Sequence, residues 1–133
     1  MTRTSSGAVF ELSAHLVFVT KYRRKVLTGM MLERLEAVIR DTAQTMGVTI
    51  VEINGEADHV HLLIDYPPRH SISTIAGRLK GASSRALRLE FWPELKRQLW
   101  GKDLWTDSYF AASTGGAPLD VVRRYIINQD RPE

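Results

Sequence analysis

The sequence has no cysteine. Disulfide frameworks, thiolate metal centres and cysteine nucleophiles are therefore excluded, and a reducing compartment is compatible with the chain. No apolar run approaches the roughly 18 residues needed to span a bilayer. The N-terminal stretch "MTRTSSGAVFELSAH" lacks the apolar centre of a secretory signal, so nothing in it points to export or to a membrane. Low-complexity tracts and internal repeats are missing as well. What remains is ordinary globular composition, 44% hydrophobic and 25% charged. A chain of 133 residues can build one proper core but not two, so a single domain over 1–133 is expected.

The excess of positive charge is mild, +3, and its distribution says more than its size. Lys21, Arg23, Arg24 and Lys25 form one basic cluster, and Arg78, Lys80, Arg85 and Arg88 form another. Both suit neutralisation of phosphates, and both equally suit a solvated surface.

Periodicity orders the chain. "ELSAHLVFVTKY" (11–22) has the apolar, β-branched centre of a strand, and 30–47 carries Leu32, Leu35, Val38, Ile39 and Met46 at helical spacing before Gly47. Residues 48–66 read as two strands joined by a turn near "NGEAD". After "PPRHS", Ser71 or Ser73 can cap a helix running to about Leu89. Pro93 makes 90–103 a loop or short helices, 104–114 reads as another strand, and 118–129 as a last helix. The result is an α+β, ferredoxin-like βαββαβ sandwich with an antiparallel sheet and an added C-terminal helix. That fold hosts many unrelated functions, so function must come from a site.

"DHVHLLID" (58–65) holds two of the four histidines. Strand alternation puts His59 and His61 on one face, with Val60, Leu62 and Ile64 on the other. Two neutral imidazoles at this separation can converge on one divalent ion. Two ordinary half-exposed strand histidines would show the same spacing. If alternation continues backwards, Asp58 points to the opposite face and is no ligand. His15, inside a strand, and His70, in a loop, are expected to have no catalytic role.

In "PLDVVRRYIINQD" (118–130), Tyr125 and Gln129 lie one helical turn apart. A tyrosine hydroxyl can attack phosphorus, and a metal held by two imidazoles and an amide would stabilise the phosphate charge. Packing with a surface hydroxyl is the plainer reading of Tyr125.

Five segments together, "HLVFVTKYRRKVL", "DHVHLLI", "LKGASSRAL", "LWTDSYFAASTGG" and "VVRRYIINQ", resemble the HUH endonucleases with one catalytic tyrosine. More narrowly, they resemble the single-stranded-DNA transposases of the insertion-sequence two-hundred-like (TnpA) type. The resemblance implies that Tyr125 attacks DNA to give a 5′-phosphotyrosine and a free 3′-hydroxyl. It implies that His59, His61 and Gln129 bind Mg²⁺ or Mn²⁺. The substrate would be single-stranded DNA with hairpin ends, contacted by Lys21, Arg23, Arg24, Arg78, Lys80 and Arg85. The enzyme would be a homodimer sharing active sites between subunits, in the cytoplasm of a bacterial or archaeal cell.

Gly115 and Gly116 suit a hinge for the tyrosine helix, or an ordinary loop before Pro118. Trp92 and Trp100 suit base stacking, or packing against the core or a second subunit. Two further readings stay open. One is a domesticated relative that processes chromosomal repeat hairpins; the other is a non-catalytic module that binds single-stranded nucleic acid.

Overall fold

The computed structural model describes residues 3–5, 8–10, 12–99, 103–113 and 119–129. A short hairpin, β1 (Arg3–Ser5) and β2 (Ala8–Phe10), precedes the main body and has no counterpart in the periodicity of the sequence. The main sheet contains β3 (Ser13–Val19), β4 (Thr49–Gly55), β5 (His59–Asp65) and β6 (Phe110–Ser113). Its order is β4-β5-β3-β6 and every pairing is antiparallel, which is the expected α+β architecture.

Two helices cover one face. In α1 (Gly29–Thr45), Met31, Leu35, Ile39 and Ala43 recur at helical spacing and are buried. Thr28 caps this helix, accepting a hydrogen bond from the Met31 amide at 3.3 Å. Gly47 follows its end with φ +70°, a conformation that costs a glycine nothing. Of the two candidate caps for α2 (Ile72–Glu90), Ser71 is the one used, accepting from Thr74 N at 3.1 Å. Ile75, Ala76, Leu79 and Leu87 of α2 meet Leu16, Phe18, Val60, Leu62 and Ile64 of the sheet in one continuous core. Arg34 and Glu90 tie the two helices together through bonds of 2.7 and 3.0 Å.

The segment 90–103 contains one short helix, α3 (Trp92–Leu95), with Trp92 at the surface. The last helix, α4, spans Leu119–Asn128. Trp100, Gly115 and Gly116 lie outside the described residues.

Two strands are shorter than the periodicity predicts. β3 stops at Val19 because Tyr22 and Arg23 take positive φ, 57° and 53°, which no ladder accommodates. The strand expected over 104–114 is confined to Phe110–Ser113. Ahead of it, only an isolated bridge joins Trp105 to Thr20. The Thr106 and Ser108 carbonyls turn instead to the Lys80 ammonium, so they are not available for pairing along a sheet edge.

Candidate active site

The face of the sheet away from α1 and α2 carries the polar residues. Register aligns His59 with Val19 and His61 with Val17, and directly paired residues share a face. Val60, Leu62 and Ile64 point the other way and are fully buried in the core, which fixes the direction of both imidazoles. His59 and His61 are half-buried.

Each ring meets a partner that alternation along one strand did not reveal. His59 Nδ1 lies 2.8 Å from Asp58 Oδ1, and Asp58 Oδ2 lies 3.5 Å from Arg23 Nε. The expectation for Asp58 is therefore corrected. β5 begins at His59, so the alternation does not extend to Asp58, whose carboxylate folds back onto the neighbouring ring. Glu56 Oε2 is 3.8 Å from His59 Nε2, and one potential ligand atom each from Glu56, Asp58 and His59 lie within 4.8 Å of one another.

His61 Nε2 lies 3.0 Å from His15 Nδ1. The ring centroids are 5.1 Å apart, much further than the nitrogens, so the rings meet edge to edge rather than face to face. Since a neutral imidazole carries one N–H, one ring donates and the other accepts. Burial, and then the proximity of His15, push the His61 pKa below its usual value, against an opposing effect of Glu52. His61 thus keeps a lone pair at neutral pH. His15 lies within β3, as expected, and the cross-strand diagonal sets its ring against His61. The signal was two strand histidines of matching parity, readable only once the register of β3 on β5 is known.

Tyr125 is half-buried on α4, with its hydroxyl 2.9 Å from Ser108 Oγ and its ring 5.8 Å from the Phe110 ring. Phe110 is paired with Val17, and Val17 with His61, so Tyr125 rests over the histidine face. Phe110 and His61 are two strands apart, about 10 Å at a strand spacing near 4.8 Å. Gln129 closes the same helix, half-buried, one turn beyond Tyr125. Among the described residues no hydrogen bond joins Gln129 to either imidazole. The geometry places His59, His61 and Tyr125 on one face of the sheet, with Gln129 one turn beyond Tyr125.

The basic residues divide into two sets. Arg23 turns inward to Asp58, and Lys21 lies 3.7 Å from Asp107. Lys80 donates to the carbonyls of Thr106 (2.6 Å) and Ser108 (3.1 Å), and burial lowers its pKa. It therefore anchors the segment that seats Tyr125. Arg24 is half-buried, whereas Arg78 and Arg85 stand exposed on one side of α2, seven residues apart.

Comparison with known proteins decides the family. Residues 8–129 match the family model described as "Transposase IS200 like". The chain belongs to the IS200-like transposase family. The ISDra2 transposase TnpA of Deinococcus radiodurans is 35% identical over 127 residues, covering 96% of this chain and 90% of that protein. The transposase for insertion sequence element IS200 of Salmonella typhimurium is 34% identical over 115 residues, covering 86% and 74%.

A crystal structure of a transposase from Deinococcus radiodurans R1 superposes with a TM-score of 0.87 at 35% identity, covering 96% of this chain and 97% of that one. A REP-associated tyrosine transposase, solved bound to a REP hairpin, shares the fold at TM-score 0.59 and 12% identity, covering 95% and 68%. Membership of this single-strand transposase family implies DNA cleavage and strand transfer. Among the described residues no helix is long and apolar enough to cross a membrane.

Proposed function

We propose that this family member cuts and rejoins single-stranded DNA at hairpin-bearing element ends through a covalent bond to Tyr125. The observation that carries the reading is a half-buried tyrosine, its hydroxyl bonded to Ser108, on the face of the sheet that presents His59 and His61. The Tyr125 Oη–P bond forms as the P–O3′ bond breaks, leaving a 5′-phosphotyrosine and a free 3′-hydroxyl. Phosphodiester energy is conserved in the phosphotyrosine, so a different 3′-hydroxyl can reverse the attack and join a new strand.

Two imidazoles and an amide oxygen can hold a divalent cation with positions left open for phosphate oxygens, and it is the family resemblance that makes Mg²⁺ or Mn²⁺ the ion we assign. His61 retains its lone pair through burial, His59 is oriented by a carboxylate, and Gln129 supplies an amide oxygen from α4. Bound there, the cation would polarise the scissile phosphate and stabilise charge on its oxygens. The two-strand offset between the Tyr125 seat and the histidine pair supports a homodimer in which α4 of one subunit completes the site of the other. Exposed Arg78 and Arg85 are the residues we assign first to backbone phosphates. Lys21, Arg23, Arg24 and Lys80 serve this contact less directly, since each also interacts within the protein.

Incubation with 3′-labelled hairpin-bearing single strands and Mg²⁺ should yield a labelled protein–DNA adduct on a denaturing gel. Tyr125→Phe should abolish it while hairpin binding persists. An adduct that survives this substitution refutes Tyr125 as the nucleophile.

A further inference from the structure

We infer that Asp58, backed by Arg23, is a positioning residue that sets which nitrogen of His59 faces the cation; the inference rests on the metal reading above. The Asp58 carboxylate can only accept, so its 2.8 Å contact requires the proton on His59 Nδ1. The lone pair then resides on Nε2, the nitrogen on the far side of the ring. Without a partner, neutral histidine prefers the opposite tautomer, with the proton on Nε2 and no lone pair there. Asp58 reverses that preference.

Asp58 is itself held from two directions. Its backbone carbonyl accepts from the Thr20 amide (3.0 Å). Thr20 is fully buried, which makes this a rigid attachment. Its carboxylate is mostly shielded and faces the Arg23 guanidinium at 3.5 Å. Arg23 reaches it from a turn whose residues Tyr22 and Arg23 both occupy the left-handed region, which L side chains rarely adopt. The turn is closed by the Thr20 hydroxyl on the Arg24 carbonyl (2.6 Å) and the Arg23 amide on the Thr20 carbonyl (2.8 Å). The basic stretch after β3 thus has a second use besides charge. It aims one arginine at the carboxylate behind the first histidine of the pair.

The test reads tautomers and cation affinity, not cleavage. In the metal-free protein at pH 8, imidazole ¹⁵N shifts should show His59 protonated on Nδ1. Asp58→Ala should shift His59 towards the Nε2-protonated form and weaken Mn²⁺ binding, followed by electron paramagnetic resonance, about 10- to 100-fold. Asp58→Asn, whose amide oxygen still accepts from Nδ1–H, should keep the tautomer and bind Mn²⁺ within a few-fold of the parent. Arg23→Gln should give a loss between those two.

A parent His59 protonated on Nε2, or unchanged Mn²⁺ affinity in Asp58→Ala, overturns the inference. Equal losses in Asp58→Ala and Asp58→Asn overturn it in favour of direct ligation by the Glu56–Asp58–His59 group. Failure of the metal reading itself looks different: Mn²⁺ affinity would be insensitive to His61→Ala, with the His59 tautomer still following Asp58. Retained circular dichroism and melting temperature in Asp58→Asn keep folding separate from positioning.

Discussion

Replacing Lys80 by methionine separates two jobs that a lysine on α2 can do. Methionine preserves most of the apolar stem but removes the ammonium that holds the Thr106 and Ser108 carbonyls at 2.6 and 3.1 Å. A hydrogen bond to a charged donor contributes about 1.5–3 kcal/mol when well shielded. Lys80 is half-buried, and the released carbonyls can rehydrate, so we expect about 1–2 kcal/mol for the pair together. For a domain of this size that lowers the melting temperature by about 3–10 °C.

The substitution should also slacken the seat of Tyr125, because Ser108 bonds the tyrosine hydroxyl. Adduct formation should therefore slow at saturating DNA, while the dependence of hairpin affinity on salt stays as in the parent. The assays are a thermal melt, a single-turnover cleavage time course and binding isotherms at several salt concentrations. An unchanged melting temperature together with a salt slope reduced by about one would refute this reasoning and make Lys80 a phosphate contact instead.

Arg78→Ala and Arg85→Ala should show the opposite pattern. Each should reduce the salt slope by up to about one and leave the melting temperature within about 1 °C, since both side chains are exposed. The depressed pKa of His61 predicts how stability depends on pH. The folded chain binds this proton more weakly than the unfolded chain does, so the group's contribution is complete above its unfolded value of about 6.5 and is lost as pH falls through the lower folded value. Urea midpoints measured between pH 7.5 and 5 should fall in the parent and fall less in His61→Gln. Identical pH slopes in the two proteins would count against the shift.

Much of the fold was legible in the sequence because local patterns carried it. Helical spacing of Leu35, Ile39 and Met46 before Gly47 marks α1, while Met31, Ala43 and the Thr28 cap came only with the structure, and Leu32 and Val38 are half-buried. Alternation in "HVHLLID" separates a core-facing side from a histidine-bearing one, and the structure keeps that separation residue by residue. Segment order alone was enough to reach the four-stranded antiparallel sheet.

Long-range pairing decided the rest. Periodicity within β3 cannot say that His15 meets His61, since that contact depends on registering Val17 against His61 across 44 residues of chain. Nor does it show that β5 starts one residue after Asp58, leaving that carboxylate free to turn back onto His59. Lys80 and Arg23 read as surface charge until their partners, the Thr106 and Ser108 carbonyls and the Asp58 carboxylate, are brought to them from elsewhere in the chain. A side chain's type and its face are local properties, fixed by a few neighbouring dihedrals. Its partner is not local: a buried or half-buried polar group must find one, and only the packed structure determines which group that is.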